Sequence, residues 1–159
     1  MFEKREEGKI TFYYNNEDLF NDVGRISSYI ASSIVTESGI DRLSISEDER
    51  DLYDVCVKQT LPKIHERLIS LCNGITNAFN ISENIEITIN DNKSYNENIL
   101  PLIDSDIADC LRYGILSAFY SINTDIALKK MSQETFMSYV SQMNNRLFQL
   151  KKKKISSLL

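Results

Sequence analysis

Residues 98–123, NILPLIDSDIADCLRYGILSAFYSIN, decide the fold that we expect for this chain. Apolar residues recur there at the three-and-four spacing of one helical face: Leu100, Ile103, Ile107, Cys110, Leu111, Gly114, Ile115, Ala118, Phe119 and Ile122. A helix of this length runs roughly 40 Å, at about 1.5 Å per residue. Small residues in its second half, Gly114 among them, would let another helix approach closely. We therefore expect one long, mostly buried central helix on which the other elements pack.

Pro101 and three aspartates mark the start of this helix. Proline is favoured in a first helical turn, where the missing N–H costs nothing. Asp104, Asp106 and Asp109 would lie near the positive end of the helix dipole. Closely spaced carboxylates are also the ligands that Mg²⁺ prefers. A metal-dependent enzyme that uses these three aspartates is accordingly our lowest-ranked hypothesis.

Two short stretches alternate apolar and polar residues with the period of a β-strand. The first covers residues 9–14, and the second is NIEITIND at residues 84–91. The second strand either pairs with the first or offers its edge to another subunit. We assign Ile85, Ile87 and Ile89 to such an intersubunit strand.

Two helices are predicted before the second strand. Asn15 and Asn16 can cap the first, whose apolar positions are Leu19, Phe20, Val23, Ile26, Ile30 and Ile34. Ser46 and Glu49 have the spacing of a capping box and open the second helix. Its expected buried stripe is Tyr53, Val57, Leu61, Ile64, Leu68, Leu71 and Cys72. Because Pro62 interrupts this stripe, we expect either a kink just before it or two shorter helices.

A final helix is predicted to begin with Ser132 as its cap. Its apolar residues step by four, three, four and three, which indicates a narrow seam that packs on another helix: Phe136, Val140, Met143, Leu147 and Leu150. Four lysines, Lys151 to Lys154, follow this seam.

These elements predict a mainly α fold: a helical bundle around one long central helix, with a small two-stranded β element. We divide the chain into an N-terminal extension with a short strand at residues 1–15, a helical domain at 16–150 and a basic C-terminal tail at 151–159. A chain of 159 residues is about one domain. It contains no apolar run of transmembrane length and no secretory leader, so we expect no membrane partner and a cytoplasm-like compartment.

The charge is polarised along the sequence. Residues 1–150 hold 14 Lys and Arg against 23 Asp and Glu, a balance of −9, and the four lysines then bring the total to −5. The lysine run has three interpretations: a solvated helix end, a contact with an acidic protein, or a contact with nucleic-acid phosphates.

No residue pattern predicts an active site. His65 is the only histidine, and the three cysteines, Cys56, Cys72 and Cys110, are too widely spaced for a local metal motif. We interpret the cysteines as reduced core residues and His65 as a partly exposed helix position. Neither a nucleophile motif nor a glycine-rich phosphate loop is present. The residues therefore predict a non-enzymatic packing or assembly module without catalytic, metal or cofactor-binding residues.

The order of elements resembles that of the helical head-to-tail connector (adaptor) proteins of tailed bacteriophages, particularly the crAss-like type. The resemblance covers residues 17–154 and depends on four stretches: SEDERDLYDVCVKQTLPKIHERL, IEITI with the polar NDNKSYNENI after it, LIDSDIADCLRYGILSAFYSI, and ETFMSYVSQMNNRLFQL before the lysines.

The resemblance implies a structural virion protein at the head-tail junction, assembled in the host cytoplasm. It implies a homo-oligomeric ring of twelve copies that docks on the portal protein, contacts other neck or tail proteins and lies near DNA in the channel. Terminal segments of such adaptors reach the portal. This assigns a partner-binding role to Lys151, Lys152, Lys153, Lys154, Ile155, Leu158 and Leu159.

An alternative function belongs to a different class. The chain would then be a small intracellular helical regulator that binds a protein or a nucleic acid through its lysine-rich C-terminus.

Overall fold

The computed structural model describes residues 2–5, 9–34, 43–71, 75–76, 84–90, 97–123 and 126–156. These residues form four helices and four strands. In chain order they are β1 (Phe2–Arg5), β2 (Lys9–Asn15), α1 (Asn16–Ile34), α2 (Arg50–Leu71), β3 (Ile75–Thr76), β4 (Asn84–Asn90), α3 (Leu100–Ile122) and α4 (Ile126–Ser156). The prediction of a mainly α protein with a small β element is confirmed.

The strands form one antiparallel sheet in the order β1-β2-β4-β3. At its centre β2 pairs with β4 over seven residues, from Lys9 opposite Asn90 to Asn15 opposite Asn84. This is the pair of strands that the alternation predicts. The four-residue β1 and the two-residue β3 lengthen the sheet on either side, and the sequence analysis does not predict them.

The strand β2 is part of the same core as the helices. Ile10 and Phe12 are fully buried and belong to one cluster with apolar residues of all four helices. The boundary that we drew at residue 15 therefore marks no gap in the packing.

Asn15 caps α1 as predicted, because its Oδ1 accepts a hydrogen bond from the backbone N–H of Asp18 at 3.0 Å. Leu19, Phe20 and Val23 of this helix are buried. Its first turn also carries two acidic residues, which favour the positive end of the helix dipole.

The capping box before α2 is confirmed. The backbone N–H of Ser46 donates to Glu49 Oε2 at 2.8 Å, in a single 3-10 turn at Glu47–Glu49 that leads into the helix. The helix then continues through Pro62 to Leu71, so the alternative of two shorter helices is wrong. Five residues of the predicted stripe are buried: Tyr53, Val57, Leu61, Ile64 and Leu68. The side chain of Leu71 and the whole of Cys72 lie outside the described residues.

The helix α3 is formed by residues 98–123, the stretch on which the predicted fold depends, apart from a few residues at its ends. It packs against α1, α2 and α4, and 13 of its 23 residues are buried. Pro101 lies in its first turn, as predicted. The helix is mostly buried, although α4, with 31 residues, is the longest in the described chain. A Cβ on Gly114 would lie 3.1 Å from the ring of Phe136 on α4, so the small residue does permit a close helix approach.

The dipole explanation for the α3 aspartates is wrong. The helix begins at Leu100, and its first turn holds no acidic residue. Asp104, Asp106 and Asp109 therefore lie in its second and third turns. Asp104 and Asp106 bind side chains of other elements, and Asp109 binds Arg112 of the same helix.

The predicted cap of the final helix is also wrong. The helix α4 begins at Ile126, and the Ser132 hydroxyl donates to the backbone oxygen of Leu128 at 2.6 Å within the helix. Good helix formers precede Ser132, and Leu128 adds a buried contact. The seam itself is confirmed by four buried residues, Phe136, Val140, Met143 and Leu147; the Leu150 side chain lies outside the described part.

None of the helices among the described residues has both the length and the apolar character needed to cross a bilayer.

Candidate interaction surfaces

The aspartates of α3 hold neighbouring elements in place. Asp104 accepts two hydrogen bonds from the Tyr14 hydroxyl of β2, at 2.8 Å through Oδ1 and at 3.1 Å through its backbone oxygen. Asp106 Oδ1 accepts a hydrogen bond from Arg146 Nη1 of α4 at 2.7 Å. These two carboxylates bind different elements. No group of three metal-ligating side chains occurs in the described segments.

Arg112 bridges α1 and α3. Its Nε and Nη2 donate to Asp22 Oδ2 at 3.0 and 2.9 Å, and its Nη1 donates to Asp109 Oδ1 at 2.9 Å. Burial by itself raises the pKa of Asp22, but hydrogen bonds from Arg112 and Arg25 lower it overall. The Asp22 carboxylate is therefore held in its charged form between two arginines.

A cleft of about 380 Å³ lies beside this bridge, between the end of β2, the start of α1 and the middle of α3. Tyr14, Asp22 and Arg112 line it, together with Tyr13 and Asp18. Three of these side chains already join elements through the bonds described above. We therefore assign the cleft a structural role.

A buried ion pair fixes α4 on α3. Asp106 is 3% exposed, and Arg146 also donates to the backbone oxygen of Leu102 at 3.0 Å. The second carboxylate oxygen of Asp106 is buried without a hydrogen-bond partner. Burial raises the pKa of Asp106 more than Arg146 lowers it. The sequence analysis does not predict this pair, since 40 residues separate its members.

The thiols of Cys56 and Cys110 are buried and free, as expected for reduced core residues. Burial raises the pKa of Cys56 to about 11 and that of Cys110 to about 12. Neither sulfur is a thiolate at neutral pH, so neither is an activated nucleophile. His65 is half-buried on α2, the position that the sequence predicts.

The isoleucines of β4 lie inside this chain. Ile85, Ile87 and Ile89 are at most 5% exposed, and β4 lies between β2 and β3 in the sheet. Another subunit would have to meet this strand through its backbone edge instead of these side chains. The intersubunit role of the strand stays a prediction.

The lysine run lies on the helix α4, whose backbone continues through Lys151–Lys154 and Ile155 to Ser156. The side chains of these residues, and all of Leu158 and Leu159, lie outside the described part of the chain. Arg146 of α4 lies beside the start of α3, because it donates a hydrogen bond to the backbone oxygen of Leu102. Beyond Arg146 the helix continues for about 15 Å, at roughly 1.5 Å per residue. The partner-binding role of this end stays a prediction.

Among the described side chains of α4, four large apolar ones are exposed. Met131, at 42%, lies on a different side of the helix; the other three are Ile126 at 82%, Met137 at 44% and Phe148 at 57%. They are spaced by 11 residues, about three helical turns, so they lie on one line along the helix. We call these three residues the outer face of α4. The prediction for this helix covered only its buried seam and not this exposed line. The regular 11-residue spacing is the sequence signal for the exposed line.

The charge of α4 is opposite to that of the remaining chain. The helix carries seven Lys and Arg and a single acidic residue, Glu134. The rest of the sequence holds the other 11 Lys and Arg against 22 Asp and Glu, from totals of 18 and 23. The molecule therefore has one basic helix on an acidic body.

An acidic surface forms where α1 and α2 begin. Arg50 joins these helix starts, because its Nη2 lies 2.7 Å from Glu17 Oε2 and its guanidinium lies 4.1 Å from the centre of the Phe20 ring. The hydrogen bond from Arg50 lowers the pKa of Glu17. We call the acidic residues here the acidic edge: Glu17, Asp18, Glu47, Asp48 and Asp51. Val55, one turn beyond Asp51, is 44% exposed beside it.

Comparisons of this chain with protein-family models, with curated proteins and with solved structures find no match. The resemblance to phage connectors stays a prediction.

Proposed function

We propose that this protein is a ring-forming head-to-tail connector of a tailed bacteriophage, which docks on the portal and links it to the tail. The observation that carries the proposal is the outer face of α4. Three large apolar side chains are exposed on one line of a 31-residue helix. Polar residues such as Gln133 and Ser141 lie between them, a mixture of apolar and polar side chains that suits contact with another protein. The paired carboxylates and protonated thiols described above favour an assembly part over an enzyme.

The size of α4 suits a repeated, modest contact. A helix of this length is about 46 Å long and its exposed strip is about 10 Å wide, which gives roughly 460 Å² per copy. Two such surfaces bury about 900 Å², less than the roughly 1,200 Å² of a stable specific interface. Such a contact becomes stable when it is repeated around a closed ring, since each copy then has two neighbours.

The experiment is complementation of a phage that carries a stop codon in the gene for this protein. Without the protein, we expect DNA-filled heads that lack tails in electron micrographs. The wild-type gene should restore tailed particles that contain the protein by mass spectrometry. The double variant Met137→Ser and Phe148→Ser should not, because it removes two of the three apolar side chains of the outer face and leaves the core residues unchanged.

Tyr29→Ser is the matched control, because Tyr29 is 77% exposed on α1 and lies outside the outer face of α4. It should restore tailed particles. Purified wild-type particles without this protein would refute the proposal.

The basic charge of α4 favours one second candidate, a regulator that binds nucleic acid. Binding to duplex DNA would then weaken steeply as salt rises, because phosphate contacts release counterions. Deleting residues 151–159 would abolish it. Under the connector proposal, purified protein shows no saturable DNA binding at physiological salt.

A further inference from the structure

The outer face of α4 cannot pair favourably with the same face of a second copy. In an antiparallel pair, the start of one helix, which carries Lys129 and Lys130, would lie against the lysine-bearing end of the other. In a parallel pair, the two lysine-bearing ends would lie side by side. With Glu134 as its single acidic residue, the helix offers almost no compensating charge. Like charges that face each other disfavour both two-fold arrangements.

The acidic edge supplies the opposite charge on the same molecule. One of its residues, Asp51, lies on α2 together with Val55, an exposed apolar side chain. Asp51 and Val55 are four residues apart on one helix, so they share a face. The acidic edge, with its exposed apolar side chain, is therefore complementary to a basic helix with exposed apolar side chains.

We propose that the outer face of α4 binds the acidic edge of the next copy, head to tail. This inference builds on the proposed ring and names the two surfaces that join its neighbours. Because they are different surfaces of one chain, each copy keeps one of each free for a further neighbour. A heterologous contact of this kind generates a ring when its rotation closes.

The test is self-association of the full-length chain by sedimentation at about 50 mM salt, where surface charges are weakly screened. Reversing two lysines, with Lys152→Glu and Lys153→Glu, should weaken association about tenfold or more. Reversing two carboxylates, with Asp48→Lys and Asp51→Lys, should do the same. Mixing the two variants should restore association, since each then offers the surface that the other needs.

Two matched variants provide controls. Lys63→Glu with Arg67→Glu makes the same change in charge as the lysine pair, at exposed positions of α2, and should alter association less than about twofold. Phe148→Ser should weaken association, whereas Tyr29→Ser should not. Circular dichroism and the melting temperature show that each variant is folded.

Several outcomes would overturn the contact: a wild-type chain that stays monomeric at about millimolar concentration, charge variants that associate like the wild type, or a mixture that does not recover. If rings form but the charge variants do not weaken them, the head-to-tail contact is wrong while the connector function stands. If particles lack the protein, the connector function is wrong, and sedimentation still decides whether the two surfaces meet.

Discussion

Gly114 lies where α2, α3 and α4 meet. A Cβ there would overlap the Cγ2 methyl of Thr60 and lie 3.1 and 3.3 Å from two ring atoms of Phe136. Gly114→Ala gains about 1 kcal/mol in helix propensity. Overpacking a core typically costs about 1–3 kcal/mol. Because the overlap with Thr60 favours the upper end of this range, we expect a net loss of stability of up to about 2 kcal/mol in urea unfolding.

Thr60→Ser provides the partner for a double-mutant cycle. It removes the Thr60 methyl but keeps the hydroxyl, which donates to the Cys56 backbone oxygen at 2.8 Å. The cost of Gly114→Ala should fall in the Thr60→Ser background, because the main overlap is gone. Equal costs in both backgrounds would show that Phe136, not Thr60, limits the space.

Two aspartates should respond to pH in opposite directions. The pKa of Asp22 is lowered in the folded protein, so its contribution to stability is present above its unfolded pKa and is lost as the pH falls. The pKa of Asp106 is raised, so its contribution is present below its unfolded pKa and is lost as the pH rises through the folded value.

Urea unfolding of Asp22→Asn and Asp106→Asn between about pH 7 and pH 3 tests these signs. Asp22→Asn should cost about 1–2 kcal/mol at pH 7, and this cost should shrink as acid protonates the wild-type carboxylate. The stability of Asp106→Asn relative to wild type should instead be best at pH 7 and worsen in acid. If the stability of both variants relative to wild type changed in the same direction with pH, the opposite pKa shifts assigned to Asp22 and Asp106 would be wrong.

At the scale of the elements, Pro62 costs α2 stability without interrupting it. The residue is exposed within a continuous 22-residue helix. It supplies no N–H for the Lys58 carbonyl, and an interior proline costs about 3 kcal/mol relative to alanine. We expect Pro62→Ala to stabilise the protein by about 1–3 kcal/mol in urea unfolding.

The neighbouring control Lys63→Ala should change stability by less than about 0.5 kcal/mol. A loss of stability in Pro62→Ala would mean that the packing of α2 depends on proline at this position.

Periodicity predicted the long elements because it records burial directly. The buried faces of α2, α3 and α4 and the pair β2 and β4 all follow from spacing. Local signals predicted the first residues of helices less well. Serine is a common helix cap, but the residues before Ser132 also favour a helix, and one of them, Leu128, is buried. The strands β1 and β3 are too short for alternation to show.

Long-range pairs could not be predicted from local spacing. Arg112 meets Asp22 across 90 residues, and Arg146 meets Asp106 across 40. The same limit applies to the candidate surfaces. The lysine run is visible in the sequence, whereas the acidic edge exists because contacts of Arg50 and Tyr53 bring the start of α1 to the start of α2.

At the scale of the whole molecule, one core joins the sheet and all four helices. Cys56 on α2 and Cys110 on α3 are both fully buried in it. In a Cys72→Ser background, we expect both thiols to react with a thiol reagent at the same slow rate, set by global unfolding. Peptide mapping with mass spectrometry measures each site. Much faster labelling of one thiol would show that its helix opens separately and that the core is not one cooperative unit.

The continuation of α4 beyond Arg146 has a kinetic consequence. The helix carries seven Lys and Arg against one acidic residue, whereas the rest of the sequence is acidic, so the molecule has an electric dipole between α4 and the rest of the chain. Two approaching copies would be turned into a head-to-tail orientation before their surfaces touch. Added salt should therefore slow their encounter far more than it speeds their separation.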